Sequence, residues 1–535
     1  MGKNSRRQAQ TWWNGVSSSI KSAFIGCFAA GFFAHLFAFT NIIPNSDGIS
    51  RVSDAQQMTV SGRWFLHYAT VWNGYIQAPA VIGFFSLVFL SLAAALTVRI
   101  LRIESPLIGC LAGVLMSVFP SVAYTFLYMF TASAYFFSVL LAVAAVYLAV
   151  KYRFGFLFGA IPLALAIGTY QAYLAVAASL SLIFVILFAL EGNRSFKEII
   201  ISALKMLCFL VLGLLLYFGI LKIFLSVKKL TLLDYKGISA LGTDITLNGV
   251  LSLLFLTYKN FVKYFFANTF ATYTTPITIA ANVFAFLIGI WSFVKLVYRN
   301  KCFKKPGAFA LTLFLCLLLP LALNLTVMMG DAMPIMRYAL VFTYLLILTL
   351  VDRSEAVTLQ DKKGCPRLSP VKLGAVIISV LLSIVAFNID NLAYTVSAQA
   401  HRATQSFATR LVDRVESTPG YENGMEVLVI GGFPSMIYHN NIPAFELVED
   451  YSNYSTTVIP RNKHIYYYLN DWLNVCWPEP DEQVMIAVSD SAEFKAMPLY
   501  PSDGSIRIID GRIVVKLASR YQPKKPYEIQ YENRR

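Results

Sequence analysis

The chain has 535 residues, 57% of them hydrophobic and only 14% charged, with a mean hydropathy of +0.61. A soluble chain carries roughly a quarter charged residues, so this balance excludes a cytosolic enzyme, a collagen-like fibre and a disulfide scaffold. The 41 Phe, 29 Tyr and 7 Trp exclude a disordered or nucleic-acid-wrapping chain, and the net charge of +15 then reads as the basic cytoplasmic loops of a polytopic membrane protein.

A basic tail over 1–21, with Lys3, Arg6 and Arg7, leads into a full-length apolar run and carries no small-residue cleavage pattern. Apolar runs able to cross about 30 Å of hydrocarbon then recur at 22–43, 78–98, 106–120, 131–150, 154–169, 174–190, 203–224, 276–298, 308–327, 338–351 and 372–389, eleven in all. The third, fifth and tenth are short, as in tilted helices or hairpins. Basic residues follow at every second boundary: Arg99 and Arg102, Lys151 and Arg153, Arg194 and Lys197, Arg299 to Lys305, then Arg353 to Arg367. This alternation predicts a cytoplasmic N-terminus, and an odd span count places the C-terminus outside. Of the cysteines, Cys27, Cys110, Cys208 and Cys316 lie in apolar runs, Cys302 and Cys365 in basic loops, and Cys476 alone near the C-terminus. None has zinc-ligand spacing.

The expected architecture is an α-helical polytopic domain over 22–389 with a first external loop over 44–77. A segment over 226–275 should lie as a helix in the outer interface, with Lys259 and Lys263 one turn apart. After Ile389 the composition turns soluble. Residues 390–535 predict a small extracytoplasmic α/β domain: a helix over Ala398–Val415, a strand in MEVLVIGG, a helix over His464–Leu473, and a hairpin SIRIIDGRIVVKL turning at Asp510-Gly511.

Mid-span charges, the mark of ion paths and proton relays, are nearly absent. His35 is the clearest titratable group inside a span and reads as a hydrogen-bonded packing histidine. The ionisable groups gather at the external mouths instead. In the first loop, Asn45 or Ser46 after Pro44 can cap a helix that puts Asp47, Arg51 and Asp54 on one face. Such a helix reads either as a solvated surface pair or as a carboxylate base held by a guanidinium, within reach of a hydroxyl nucleophile. Gly62-Arg63-Trp64 follows, with His67 a turn later. Arg63 and Arg337 both stand at external span ends, against the positive-inside bias, where each reads as an interfacial anchor or as a site for an anionic headgroup. Tyr170-Gln171 caps the fifth and sixth spans outside, beside the aromatic stretch FPSVAYTFLYMF, in a setting that suits sugar hydroxyls. No Walker motif, nucleophile elbow or dinucleotide fingerprint is present.

The acid with Arg four positions on, the later Gly-Arg, Phe119-Pro120, Tyr170-Gln171, Arg337 and a tail with Met497-Pro498 before Tyr500-Pro501 together resemble the bacterial glucosyltransferase II family of O-antigen conversion, of the GT-C superfamily. The likeness runs over about residues 20–520. It implies transfer of a sugar, usually glucose, from undecaprenyl phosphate to a surface glycan outside the cell membrane, with a donor-lipid synthase and a flippase as functional partners and no nucleic acid. It also implies Asp47 as the candidate base. Many members carry two adjacent acids there, whereas this chain has Ser46-Asp47, which leaves a role for Asp54 open. The leaving phosphate then falls to Arg63 and Arg337 with Lys259 or Lys263, and Arg51, His67, Tyr170 and Gln171 act in support. No ligand cluster indicates a metal, although GT-C enzymes differ and a divalent ion stays open. Two other classes compete: a glycan polymerase or acyl-transferring membrane enzyme, which would show a catalytic His or Arg pair in a late loop, and a lipid-linked sugar flippase or transporter, which would show inverted repeats and mid-span charges.

Overall fold

The computed structural model describes residues 15–45, 47–48, 53–232, 247–267, 275–326, 333–355, 359–360, 366–433, 448, 459 and 462–523. Among them, nine helices are long and apolar enough to cross a membrane. In chain order the principal helices are α1 (Ser18–Thr40), α2 (Pro79–Leu101), α3 (Pro106–Val118), α4 (Pro120–Leu127), α5 (Met129–Lys151), α6 (Ala160–Thr169), α7 (Leu174–Ala189) and α8 (Phe196–Val227). There follow α9 (Leu247–Phe266), α10 (Pro276–Arg299), α11 (Pro306–Leu323), α12 (Val341–Ser354) and α13 (Pro370–Glu416).

Local chemistry sets the helix starts. Proline opens α2, α3, α4, α10, α11 and α13, where its missing N–H costs nothing. Ser195 and Glu198 form a reciprocal capping box on α8. The third span is one apolar stretch, Pro106–Leu127, broken into α3 and α4 because Pro120 forces Phe119 out of the helical region (φ −63°, ψ 136°). Helices α1 and α3 touch backbone to backbone: a Cβ on Gly113 would sit 2.1 Å from the Ala23 carbonyl oxygen, and one on Gly109 2.5 Å from that of Ser19. Small residues permit this approach where lipid supplies no hydrophobic drive between helices.

Nine of the eleven expected crossings coincide with helices that, among the described residues, meet the length and composition of a span. The apolar stretch Gly155–Thr169 is short, and α12, at 14 residues, spans only about 21 Å. Helix α12 is nevertheless central, buried along nearly its whole length. Near its end stands Asp352, whose Oδ2 accepts from the Glu104 and Ser105 amides (2.8 and 3.2 Å) and whose Oδ1 meets Lys372 Nζ at 3.2 Å. This carboxylate ties the α2–α3 link to the start of α13. At the same end, Arg102 and Arg194 both reach Glu191, Asn300 Nδ2 donates to Leu190 O, and Lys305 Nζ to Asn193 O. The basic boundaries of the sequence thus meet at one end of the bundle.

Helix α13 runs from that end past the other without a break. The sequence reading separates a span ending at 389 from a tail helix beginning at 398, but residues 390–397 (DNLAYTVS) contain no Gly or Pro, and the two are one helix of 47 residues. Its far end packs on a mixed sheet, distinct from the two-residue pair β1 (Leu359–Gln360) and β2 (Pro366–Arg367). In that sheet β3 (Val427–Ile430) runs parallel to β5 (Arg512–Lys516), and β4 (Ile506–Ile509) pairs antiparallel to β5. Asp510 and Gly511 turn the hairpin with φ of 51° and 74°, as a type I′ turn requires. Strand alternation divides the core. Val427, Val429, Ile513 and Val515 face α13 and α14 (Asn462–Leu473), whereas Leu428, Ile430 and Val514 face α15 (Glu482–Asp490) and α16 (Ala492–Ala496). Lys516 Nζ caps α16 by donating to the carbonyls of Phe494, Lys495 and Met497.

Candidate functional site

In the described part of the loop between α1 and α2, residues 47–48 form a turn, Ser53 pairs with Ile76, and short helical turns follow over Thr59–Ser61, Leu66–Ala69 and Thr70–Asn73. Asn45 is buried, and its Oδ1 accepts from the Gly48 amide at 2.6 Å, so Asp47 rides exposed on a tight side-chain-closed turn. That turn rests on the start of α5, since a Cβ on Gly48 would lie 3.1 Å from the Phe130 ring. Gln77 Nε2 donates to Gly48 O at 2.7 Å and ties the turn to the far end of the loop. The Asp47 carboxylate is within electrostatic reach of Tyr124 and Tyr135. Asp54 belongs to a different structure: Ser53 bridges to Ile76, the Asp54 amide donates to Tyr75 O at 3.0 Å, and Asp54 Oδ1 accepts from the Gln56 amide at 2.8 Å. Asp47 thus stands in a turn and Asp54 beside a strand-like pairing, while residues 49–52, Arg51 among them, lie outside the described residues.

Arg63 stands at the centre of an aromatic nest. Its Nη1 donates to the Tyr135 hydroxyl at 3.3 Å, and its guanidinium lies over the Tyr170 ring, 4.9 Å from the centroid. Tyr135 and Tyr170 stack with centroids 4.5 Å apart and planes 10° from parallel, and Tyr173 closes edge-on against both. Gly62 makes the turn possible. Its φ of 80° belongs to glycine, and the space where a Cβ would go holds Gln171 Nε2 and the Tyr217 hydroxyl at 2.6 Å. Gln171 Nε2 donates to Ser61 O at 2.9 Å, and Tyr217 donates to Gly62 O at 3.1 Å. Trp64 is buried against Gly168 and stacks on Phe224. Arg63, Tyr170 and Gln171 are thus brought together, with Gln171 holding the turn that aims the guanidinium. His67 acts only on its own loop. Its Nδ1 meets Ala55 O at 2.6 Å and its ring stacks on Tyr75, which pins the loop to itself.

Arg337 comes from a later part of the chain. It follows the turn Pro334–Met336, which packs on α4, and precedes Tyr338. The Tyr338 hydroxyl donates to Met116 O at 3.0 Å and its ring meets Phe119 edge-on. Arg337 lies within electrostatic reach of Tyr264 on α9.

A profile of the family described as Glucosyl transferase GtrII matches residues 36–351. The chain belongs to that family. No curated protein and no solved structure matched it. The GtrII match takes in the loop, the Arg63 nest and Arg337, and it stops before α13 and the tail domain.

Lys259 and Lys263 of this GtrII chain stand on α9. Helix α9 packs through its Tyr258 hydroxyl on Leu317 O of α11 and through Thr257 O, which accepts from Asn324 Nδ2 at 3.3 Å. Lys259 is exposed there and Lys263 half-buried. His35 is a packing residue, as expected: it is wholly buried, with Nδ1 at 2.8 Å from the Tyr394 hydroxyl and Nε2 at 2.8 Å from Ser117 O. Asp390 escaped the sequence reading because it falls one residue past the expected end of its span. It is fully buried on α13 and within electrostatic reach of Tyr264 and Tyr394. The signal that would have found it is the unbroken helical pattern through 390–397. Among the described residues, no group of three or more His, Cys, Asp or Glu side chains gathers as metal ligands.

Proposed function

We propose that this membrane glycosyltransferase of the GtrII family moves a glucosyl group from a polyprenyl-phosphate donor to a surface glycan on the extracytoplasmic face of the cell membrane. One arrangement carries the reading: the Asp47 turn and the Arg63 guanidinium approach the same residue, Tyr135, at the end of the bundle away from the basic loops. A carboxylate and a fixed cation near one aromatic residue are what a displacement at an anomeric carbon needs. Asp47 takes the proton from the acceptor hydroxyl. That oxygen bonds to the anomeric carbon as the bond to the phosphate oxygen breaks, and polyprenyl phosphate leaves with the charge. Arg63 and Arg337 stabilise the charge growing on the phosphate, with Lys259 or Lys263 of α9 assisting. One displacement inverts the anomeric centre; a retaining route calls for a second carboxylate close by. Asp54, already bonded to the Gln56 amide, is better suited to shaping the loop.

The test is transfer by purified protein in nanodiscs, with labelled polyprenyl-phosphate glucose and an acceptor glycan. Labelled glycan with inverted configuration supports the reading, and unchanged donor in the presence of a competent acceptor overturns it. Mass spectrometry of surface glycans from a deletion strain would name the sugar and the acceptor. Sidedness has its own check: Cys476 is exposed, so a membrane-impermeant thiol reagent should label it on intact cells and leave Cys365 unlabelled until lysis. The reverse pattern would invert the orientation.

A further inference from the structure

The basic end of the bundle holds two kinds of cation. One kind is paired: Glu191 serves Arg102 and Arg194, Glu355 serves Lys295, and Asp352 serves Lys372. The other kind gathers around two tyrosines, where α2, α5 and α8 meet the turn that leads into α6. The Arg99 guanidinium and the Lys151 ammonium each stand 5.3 Å from the centre of the Tyr147 ring. Lys151 also lies 5.2 Å from the centre of the Tyr152 ring, and Lys205 Nζ donates to the Tyr152 carbonyl at 3.1 Å. Arg153, over the Phe154 ring, adds a fourth charge. Among the described residues, no carboxylate lies within ion-pair distance of any of these four.

A close reversal of the chain builds the cluster. A Cβ on Gly155 would run into the Leu148 carbonyl oxygen, so glycine lets the chain turn back against the last turn of α5. Tyr152, Arg153 and Phe154 are thereby set at the edge of the bundle, all exposed. Lys205 stands nine residues after the start of α8 at Phe196, about 13 Å along its axis. Its neighbours Leu204 and Leu207 are exposed, as on a lipid-facing surface, and its amine reaches back towards the helix end as a snorkelling lysine does. Phe154, Leu157 and Phe158 border the cluster and are exposed at 56, 47 and 64%.

Two features select the partner. Four cations held close together repel one another, and with no carboxylate at hand an anion relieves them. A soluble anion would leave the bordering Phe154, Leu157 and Phe158 uncovered, whereas a phospholipid covers charge and apolar surface together. A single phosphate compensates only part of this cluster, so a lipid with two phosphates fits it better.

We propose that Arg99, Lys151, Arg153 and Lys205 form a headgroup site for an anionic phospholipid carrying two phosphates, with its acyl chains along Phe154, Leu157 and Phe158. The bound lipid ties the end of α5 to α2 and α8. The site is independent of the reaction assigned to the other end of the bundle.

Native mass spectrometry of the detergent-solubilised full chain can compare a diphosphatidylglycerol, a phosphatidylglycerol and a phosphatidylethanolamine with the same acyl chains. The unaltered protein should prefer the two-phosphate lipid over the one-phosphate lipid by about fivefold or more, the worth of a further charge contact near a membrane surface, and should bind the zwitterionic lipid least. Arg99→Gln, Lys151→Gln and Lys205→Gln should each weaken the two-phosphate lipid by about fivefold, and the triple variant should lose the preference. Lys295→Gln removes the same charge from a paired cation at the same end and should leave lipid binding unchanged. Added two-phosphate lipid should also raise the thermal midpoint of the unaltered protein more than that of the triple variant. If the triple variant does not fold, the single variants carry the same prediction, since Gln keeps much of each stem. An undiminished preference in the single variants, an equal loss in Lys295→Gln, comparable binding of phosphatidylethanolamine, or displacement of the lipid by millimolar inorganic phosphate would overturn the proposal.

Discussion

The spans of the earlier and later parts of the chain bury themselves very differently. In Pro79–Leu101, Pro106–Leu127, Met129–Lys151 and Gln171–Ala189, 61, 78, 61 and 72% of the apolar window is buried in the protein. In Phe196–Val227, Pro276–Arg299, Pro306–Leu323 and Pro370–Glu416 the share falls to between 22 and 28%. The first group forms a close-packed block, and the loop with Asp47 and Arg63 is built on its end, so the site inherits the block's rigidity. The second group turns much of its surface outward and closes only partly around α12, leaving a cavity lined by Ala285, Tyr344, Ala375 and Leu382. One bundle thus carries two packing densities.

Substitutions can break this comparison, and the largest effect belongs to Asp47. Asp47→Asn keeps the size of the side chain and the turn that Asn45 closes but removes the proton acceptor, so transfer should fall by about 10²–10⁴-fold with donor binding intact. Asp54→Asn should cost far less, because an amide oxygen can still accept from Gln56. Full activity in Asp47→Asn would remove the base, and loss confined to Asp54→Asn would move it along the loop.

The two arginines separate the halves next. A charge-assisted contact is worth about 1.5–3 kcal/mol, so Arg63→Ala and Arg337→Ala should each lose about ten- to hundredfold in kcat/KM. The loss should sit mainly in kcat for Arg63 and in KM for the donor for Arg337. Arg63→Lys should rescue poorly, since the planar guanidinium over Tyr170 has no ammonium equivalent, whereas Arg337→Lys should recover most of the binding. Identical profiles for both arginines would erase the distinction between the ends.

Stability should show the smallest and most general contrast. Gly113→Ala drives a methyl against the Ala23 carbonyl and should cost about 1–3 kcal/mol, read as a lower thermal midpoint in detergent. Gly219→Ala, on the exposed side of α8 with nothing within 4 Å of the new Cβ, should be neutral or gain up to about 1 kcal/mol from helix propensity. Equal shifts would mean that the earlier block is no more tightly packed than the later helices.

Much of the fold is legible along the chain because its signals are local. A run of apolar residues long enough for the hydrocarbon, a proline at a helix start, a basic loop or an Asp-Gly turn acts through neighbours in sequence. The spans, the α/β tail and the 506–516 hairpin could be read for that reason. The break at Phe119-Pro120 and the fused α13 lie just beyond this reach, since a soluble-looking composition after 389 conceals a helix that nothing interrupts. The site was legible as residue types only. Arg63, Tyr170 and Gln171 stand out at the ends of spans, but nothing in their spacing says that Tyr135, Tyr173 and Tyr217 complete the nest. The described ends of the stretch from Asp47 to Asp54 are held by bonds to Gln77 and Tyr75, partners more than twenty residues away that local spacing does not name.

What the sequence by itself determined is which segments prefer lipid, where helices begin, and which polar residues stand at their mouths. Only the tertiary structure decided that Arg63 is set against Tyr135 and Tyr170, that Asp390 is buried, and that α10, α12 and α13 leave a cavity between them. The reason is physical: transfer from water to hydrocarbon is set residue by residue, whereas in lipid the contacts between helices depend on shape, and shape matching joins positions hundreds of residues apart.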